Sequence, residues 1–335
     1  MEIRKLNMLR GLAALIVLFS HFSNSTQWLN AYLGEGAGQL GVMFFFILSG
    51  FLMSYLYFER GFTRLHVHKY IVARFSRVVP LFLLVVIASF LVRIYGGEWL
   101  YEINSIQDVL SHLLLIKGEN VLWTIGPEIQ FYFIFIVLWW VFSKHRICVP
   151  ILITLVYILL FRLDFPRPEG RILGLPFDIS LLRGLPYFFI GVIFGHLYNR
   201  IDQPLRLQSG WFVYALLLIL ILYPKIYLLF FEVRHRMWRD GSVLIVMATI
   251  FYGVLFLVPD NNSFMANKAG DFLGRISYSI YLLHMPVLWQ VEKLVIESVE
   301  IKLSIFVSIT LLVSYLSYSF IELPSSRFIR NIFSY

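Results

Sequence analysis

The sequence has a single cysteine and few charged residues. Cys148 is the only cysteine among 335 residues, which excludes an internal disulfide and a zinc site built from cysteines. Charged residues make up 14% of the chain, against about 25% in soluble domains. The apolar share of 59% exceeds the soluble norm of about 45–50%, so a soluble enzyme, a disordered chain and a fibrous protein are excluded. The composition indicates a polytopic membrane protein.

The apolar residues fall into ten runs, which predict an all-α membrane bundle of about ten spanning helices. An eleventh run, 109–116, is too short to span. With a capping box from Ser105 to Asp108 it predicts an interfacial or re-entrant helix. The chain has no internal repeat, so the inverted halves of a secondary transporter are not indicated. The ten runs are 11–23, 40–58, 78–95, 129–143, 147–161, 179–198, 211–231, 242–258, 276–291 and 303–321.

The distribution of basic residues predicts the orientation of the helices. The net charge is +8, and the first two segments on one side, 1–10 and 60–77, hold three and five Lys or Arg residues. Because early basic segments usually lie in the cytoplasm, we expect both termini there. Positive charge spread over loops that flank a membrane favours lipid as a partner and does not indicate nucleic acid.

Arg10 and His21 are the first candidates for chemistry. Eleven residues at about 100° each amount to three turns plus about 20°, so the two side chains share one helix face, about 16 Å apart along the axis. With Arg10 at the interface, His21 reaches mid-membrane, where a histidine can act as a base. The structural alternative is an arginine that extends to the interface and a histidine bonded to a neighbouring helix.

Two later segments carry polar groups inside apolar sequence. In WTIGPEIQFY, Pro127 suits the start of a helix and Glu128 its first turn, while Trp123 and Tyr132 suit a membrane interface. In SYSIYLLHMP, Tyr281 and His284 share a face with a preceding serine. Each segment is equally compatible with structural packing and with a site.

The basic segment 59–80 is interpreted as a cytoplasmic loop. Its arginines, among them Arg74 and Arg77, suit either lipid headgroups or a phosphorylated cytosolic cofactor. His66 and His68 have no obvious third ligand, so we expect no metal site. Upstream, Gly41 and the pair 49–50 predict close helix packing.

Six segments together resemble the acyltransferase-3 family of integral membrane O-acyltransferases. Thr124 stands where the family motif has serine, and Gly126–Pro127 replaces a more regular pair. The matching segments span residues 9–327 and read LRGLAALIVLFSH, GVMFFFILSGFLM, RFSRVVPLF, WTIGPEIQFY, ISYSIYLLHMPV and IELPSSR.

The resemblance implies roles for individual residues. Its R-x10-H motif places catalysis on His21 and Arg10, with Glu128 as a further catalytic candidate. Its R-x-x-R motif places binding of the acetyl-CoA donor on Arg74 and Arg77, with Arg10 assisting. The substrate-side candidates are Trp123, Tyr132, Tyr281 and His284.

The resemblance also implies a function. We expect residues 1–335 to form a single transmembrane domain, with no appended soluble domain, in the inner membrane of a bacterium. It would transfer an acyl group, usually acetyl, from cytosolic acyl-CoA to a cell-surface polysaccharide or lipid-linked glycan, as the short O-antigen and exopolysaccharide acetylases do. Two alternatives stay open: the same chemistry on a small lipid or antibiotic, and a transporter without enzymatic activity.

Overall fold

The computed structural model describes residues 3–162, 171–172, 175–176, 180–200 and 208–333. Within these ranges the regular secondary structure is helical, except for one antiparallel pair of two-residue strands, β1 (Arg171–Ile172) and β2 (Leu175–Pro176). The prediction of an all-α architecture is therefore confirmed. The helices are α1 (Arg4–Thr26), α2 (Gly38–Tyr57), α3 (Arg64–Ile94), α4 (Ile106–Leu113), α5 (Ile125–Lys144), α6 (Cys148–Arg162), α7 (Ser180–Tyr198), α8 (Leu218–Ile221), α9 (Pro224–Phe231), α10 (Gly241–Tyr252), α11 (Lys268–Glu292), α12 (Val299–Ser317) and α13 (Leu323–Phe333).

Each of the ten apolar runs coincides with helical structure where it is described, but two predictions of local structure are wrong. The segment 59–80 is not a loop, because α3 begins at Arg64. The side chain of Thr63 accepts a 3.2 Å hydrogen bond from the amide of His66 and so caps the helix. The run 211–231 is not one straight helix. It bends by 86° between Ile221 and Pro224, because proline cannot donate the next helical hydrogen bond.

Six helical segments among the described residues are long and apolar enough to cross a membrane. A seventh is obtained if the bent pair Gly210–Ile221 and Pro224–Phe231 counts as one span. The chain is thus a multi-pass membrane protein, while ten spans and the side of the termini stay predictions. The six segments are Arg4–Thr26, Gly38–Tyr57, Arg64–Ile94, Asn120–Lys144, Ser180–Tyr198 and Val299–Phe333.

The chain divides into two compact units. The first unit comprises Met1–Glu59, His145–Phe165 and Arg183–Ser277. The second unit comprises Arg60–Lys144, Pro166–Leu182 and Tyr278–Tyr335. Since α3, α5 and the second half of α11 belong to the second unit and α1 belongs to the first, the predicted functional residues are divided between them.

Glycines allow close helix packing in the first unit, as predicted. A Cβ added to Gly41 would collide with the carbonyl oxygen of Ala13, so α2 lies directly against α1. On the other side of α2, Gly50 faces the carbonyl oxygen of Phe188 in α7, and Gly191 faces α2 in return. Small residues at these positions let the helix backbones come close together, and this close packing stabilises helix pairs in lipid.

A buried lysine anchors the start of α1 in the same unit. Lys5 is only 1% exposed, and its Nζ donates hydrogen bonds of 2.8 and 2.7 Å to the carbonyl oxygens of Leu255 and Val258. Its ammonium group also lies 2.8 Å from a carboxylate oxygen of Asp260. Leu255 lies within a π-helical turn, Gly253–Leu257, and Val258 follows that turn directly. The lysine thereby joins the first helix to the segment that follows α10.

Tyrosine hydroxyls hold α11 against its neighbours in the second unit. The hydroxyl of Tyr278 donates a 2.8 Å hydrogen bond to the carbonyl oxygen of Val78 in α3. Further along α11, the hydroxyl of Tyr101 donates a 2.8 Å bond to the carbonyl oxygen of Leu282. Both tyrosine hydroxyls are bonded to backbone, so the register of α11 is fixed at two levels.

The short helix α4 has the predicted capping box. The hydroxyl of Ser105 accepts a 3.0 Å bond from the amide of Asp108 and donates a 2.9 Å bond to its carboxylate. This hydrogen bond from Ser105, together with Lys117, lowers the pKa of Asp108 below its ordinary value. At the end of α4, the fully buried His112 donates from Nδ1 to the carbonyl of Asp108 and accepts from the amide of Glu119 at Nε2. Both ring nitrogens are used, so His112 is structural.

Candidate functional site

Arg10 and His21 both lie on α1 and are half-buried, as their spacing predicts. The continuous helix confirms that they share a face about 16 Å apart along the axis. Ser20, next to His21, accepts a 2.8 Å hydrogen bond from the amide of Gly38 at the start of α2. Since α1 is fixed against α2 at this level, the backbone position of His21 is well defined.

The two arginines of the R-x-x-R motif lie on α3 in the second unit. Arg74 is buried, with 8% exposure, and its Nε has no hydrogen-bond partner among the described residues. Arg77 is half-buried one turn further along. Buried guanidinium groups need an anion or another acceptor, because an unsatisfied charged donor costs more than a lost neutral hydrogen bond. Arg74 therefore has donor capacity for a ligand.

Glu128 and Tyr132 face the same region from α5. The hydroxyl of Tyr132 donates a 2.9 Å hydrogen bond to Oε1 of Glu128, and its backbone carbonyl accepts a 3.0 Å bond from the hydroxyl of Tyr70 in α3. The charges of Arg74 and Arg77 both act on Tyr132. The structure thus brings together four of the predicted residues, two cations and a carboxylate–tyrosine pair.

The helix that carries Glu128 begins two residues before the predicted proline. Trp123 and Thr124 belong to a preceding 3-10 turn, Asn120–Thr124, and α5 begins at Ile125. Trp123 lines a cavity of only about 10 Å³, room for about one water molecule. Trp123 is therefore close to Glu128 in sequence, but the cavity that it lines is too small for a sugar.

Tyr278 and Glu322 belong to this region, although the sequence analysis assigned them no role. Tyr278 lies within electrostatic range of Arg77, Glu128 and Glu322. Glu322 ends a π-helical turn, Tyr318–Glu322, and its carboxylate accepts a short hydrogen bond from the hydroxyl of Ser279. A lone acid inside the apolar run that precedes α13 was the available signal, because burying a carboxylate without purpose is costly.

Tyr281 and His284 are both buried on α11, one and two turns beyond Tyr278. The hydroxyl of Tyr281 donates a 3.0 Å bond to the carbonyl oxygen of Val121. His284 donates from Nδ1 to the carbonyl oxygens of Ile280 and Tyr281, at 3.0 and 2.9 Å. In the neutral ring this leaves the lone pair on Nε2, the atom that can act as a base.

The described residues contain no group of three His, Cys, Asp or Glu side chains that could hold a metal ion. The predicted site residues carry guanidinium, imidazole, carboxylate and phenol groups. Arginines bind phosphates and polarise carbonyls, and histidine or glutamate can take a proton. This set suits transfer of an acyl group from a phosphate-bearing donor.

Comparison with known proteins gives family and curated matches. A family model described as "Acyltransferase domain" matches residues 3–321. The O-acetyltransferase OatA of Staphylococcus aureus is 24% identical over 371 residues, covering 95% of this chain and 56% of that relative. A protein of Acidianus two-tailed virus named "Putative acetyltransferase ORF330" is 25% identical over 300 residues, covering 84% of this chain and 82% of that relative. The chain spans about half the length of the Staphylococcus proteins. No solved structure matches the chain.

Proposed function

Since the chain belongs to the acyltransferase domain family, we propose that it is a membrane O-acyltransferase that transfers acetyl from cytosolic acetyl-CoA to a hydroxyl group of a cell-surface polysaccharide. One observation carries this proposal. Two arginines of α3 lie beside the Glu128–Tyr132 pair inside a membrane protein, and the buried Nε of Arg74 has no hydrogen-bond partner in the described part of the chain. The names of the relatives, O-acetyltransferase and acetyltransferase, support the same reaction class.

The donor end is formed by Arg74 and Arg77. Guanidinium groups pair bidentately with phosphate oxygens, and CoA carries a diphosphate and a ribose phosphate for them to bind. The R-x10-H motif assigns Arg10, which belongs to the first unit, a role in holding a CoA phosphate or the thioester carbonyl. An acyl-CoA bound through these residues enters from the cytoplasm, because early basic segments lie on that side.

The reaction is acyl transfer from sulfur to oxygen. An acceptor hydroxyl attacks the thioester carbonyl carbon, a new C–O bond forms, the C–S bond breaks, and CoA leaves as the thiol. His21 acts as the base that takes the hydroxyl proton, or as a nucleophile that is acetylated first. Arg10 stabilises the oxyanion, and Glu128 is a further proton acceptor on the acceptor side, with Trp123, Tyr132, Tyr281 and His284 as substrate contacts.

The proposed topology has about ten spans, with both termini in the cytoplasm of a bacterium and the chain in its inner membrane. This arrangement lets a cytosolic donor serve an acceptor on the opposite face. O-antigen, exopolysaccharide and lipid-linked glycans all present hydroxyl groups there. Membrane lipid surrounds the helices, and no nucleic acid is involved.

The test combines a donor assay with a product assay. Purified protein in lipid nanodiscs, supplied with acetyl-CoA and an extract of the cell's glycans, lipids and small molecules as acceptors, should release free CoA thiol, and a His21→Gln variant should not. Mass spectrometry of surface glycans from cells with and without the gene should then find 42 Da additions, the mass of an acetyl group, only when the gene is present. Absence of thiol release would refute the acyltransferase. Thiol release with unchanged glycans would indicate that the acceptor is a small lipid or an antibiotic.

A further inference from the structure

A cleft of about 410 Å³ opens in the second unit, away from the two arginines. Its walls are the end of α3, the segment 95–102 and the end of α11. A volume of this size is within the range of small-molecule sites, about 300–1,000 Å³. Its lining includes Ser89, Arg93, Tyr101, Glu102, Trp289 and Glu292.

An aromatic platform is fixed at the cleft. Tyr101 is 1% exposed, and its ring meets the indole of Trp289 edge to face at a centroid distance of 5.4 Å. The hydroxyl of Tyr101 is bonded to the backbone of α11, so the ring that supports Trp289 does not rotate freely. Trp289 itself is only half-buried. A held but accessible indole offers its face to the apolar C–H side of a pyranose ring.

The polar groups of the cleft favour hydroxyl donors over anions. Arg93 is paired with Glu98 at 3.1 Å. Lys293 also lines the cleft, so its lining holds two cations against three carboxylates, those of Glu98, Glu102 and Glu292. Among the described residues, the carboxylates of Glu102 and Glu292 form no ion pair, and both side chains are exposed. Carboxylates accept hydrogen bonds from sugar hydroxyls and repel phosphate or uronate groups. The ligand that this chemistry fits is a neutral sugar.

The position of the cleft also fits an acceptor. From Arg77 to Ser89, α3 rises by about 18 Å, and from Tyr278 to Trp289, α11 rises by about 16 Å. The cleft therefore lies about 16–18 Å further along these helices than Arg77 and Tyr278. His284 lies between these two levels, about 7 Å along α11 from Trp289.

We propose that this cleft binds a neutral pyranose unit of the acceptor glycan, with Trp289 stacking on the ring and Glu102 and Glu292 accepting its hydroxyl groups. The assignment rests on the acyltransferase activity proposed above. It divides the second unit into a donor end at the arginines and an acceptor end at the cleft, with His284 between them.

The test is saturation-transfer NMR on the full chain in nanodiscs, with cellobiose, lactose, maltose and chitobiose as probes. At least one disaccharide should receive saturation. Trp289→Ala should raise the Kd for that disaccharide by at least about fivefold, which corresponds to the loss of one aromatic contact. Trp289→Phe should restore part of the lost affinity. Trp211→Ala is the matched control, because Trp211 lies in the first unit with 77% exposure, and it should bind as wild type.

Three results would overturn the cleft as a sugar site. They are no saturation of any disaccharide, equal affinity in Trp289→Ala, or displacement of the sugar by glycerol 3-phosphate, which would indicate a lipid headgroup site. A Tm equal to that of the wild type serves as the fold check for each variant, and Glu292→Gln replaces Trp289→Ala if the latter does not fold. The proposed transferase activity can fail independently of the sugar site. Sugar binding that depends on Trp289, in a protein that never releases CoA thiol, would leave the cleft in place and refute the transferase.

Discussion

The hydroxyl of Tyr132 donates a 2.9 Å hydrogen bond to Oε1 of Glu128, one turn earlier on α5. Tyr132 is itself buried, with 3% exposure, and its carbonyl is bonded to Tyr70 of α3. The carboxylate of Glu128 is therefore oriented by a side chain that two helices hold in place. An oriented carboxylate of this kind is a better proton acceptor than one that rotates, because its lone pair is already directed.

Replacing Tyr132 by Phe removes one hydroxyl and keeps the ring. A hydrogen bond to a charged group is worth about 1.5–3 kcal/mol, so we expect kcat to fall by at least about 10-fold. The KM for acetyl-CoA should stay constant, since Tyr132 orients Glu128 and does not hold phosphate. Tyr95→Phe is the matched control, because Tyr95 is 87% exposed. A kcat equal to wild type in Tyr132→Phe would show that the orientation of Glu128 does not matter.

Arg74 and Arg77 should determine the affinity for the donor. Replacing either by Ala removes a charged hydrogen bond to phosphate, so the KM for acetyl-CoA should rise by about 10- to 150-fold, while the protein still inserts. Because kcat is measured at saturating donor, it should change less than KM. Isothermal titration calorimetry should show a parallel rise in the Kd for CoA.

Arg64 offers the control for this experiment. It is exposed at the start of the same helix, α3, and carries the same charge. If the arginines only attract anionic lipid, Arg64→Ala and Arg77→Ala should have similar effects, and both should disappear in nanodiscs of neutral lipid. A large rise in KM confined to Arg74 and Arg77 would identify a donor site.

Hydrophobic runs predicted most of the helices. An apolar run in lipid must satisfy its own backbone hydrogen bonds, so each run is helical where it is described, although 211–231 is bent and α13 lies outside every run. Charge misled the prediction of α3, whose first part is basic and resembles a loop. Thr63 caps that part and it contains no helix breaker, so the helix begins at Arg64 and passes through Pro80 at the loss of one backbone hydrogen bond.

The motifs predicted the family and part of the site. The resemblance found from six segments is confirmed by the family model over residues 3–321. Only the motifs could have predicted that Glu128 and Tyr132 lie beside the two arginines, Arg74 and Arg77. The neighbouring Tyr278 and Glu322 come from helices distant in sequence. The lone acid at the apolar run before α13 could have drawn attention to Glu322, but no local pattern predicts its hydrogen bond to Ser279.

The ends of the helices in each unit are linked by polar contacts that bear on topology. In the second unit, Arg330 of α13 donates a 3.3 Å hydrogen bond to the hydroxyl of Ser76, so the C-terminal helix lies beside the basic start of α3. In the first unit, Glu35 lies 3.6 Å from Lys225 and 4.0 Å from Arg234. The loops after α1 and α9 are therefore at the same end of the first unit.

Single-cysteine labelling should place these ends on opposite sides of the membrane. The exposed Cys148 is first replaced by Ser, and one cysteine is then introduced per variant. Cysteines at Lys69 and Arg330 should react with a membrane-impermeant maleimide only after the cells are opened. Cysteines at Glu35, Arg236 and Arg167 should react in intact cells; Arg167 lies outside the described residues. Labelling of Glu35 and Lys69 positions from the same side would contradict the two-helix arrangement on which the donor end depends.

Lys5 should be important for stability and not for catalysis. Lys5→Met keeps the length of the side chain but leaves two carbonyl groups and Asp260 without their donor. Each buried group left unsatisfied costs about 1–3 kcal/mol, so the Tm in detergent should fall by several degrees. Lys268→Met removes an exposed ammonium group and should leave the Tm within the change of about ±0.5 kcal/mol typical of surface sites. Equal Tm values for the two variants would mean that the buried contacts add nothing to stability.

His21 should be required for acyl transfer. It shares a face of α1 with Arg10, and the neighbouring Ser20 is held by the amide of Gly38, so the backbone around His21 is fixed. His21→Gln keeps much of the volume and the hydrogen-bonding capacity but cannot act as a base or form an acyl intermediate. A base or nucleophile contributes at least about 10²-fold, so release of CoA thiol should fall by that factor while insertion and the Tm persist. His145→Gln, at an exposed position, is the control and should retain the wild-type rate. Normal acylation by a well-folded His21→Gln protein would transfer the catalytic role to His284, whose Nδ1 already donates to its own helix, or to Glu128.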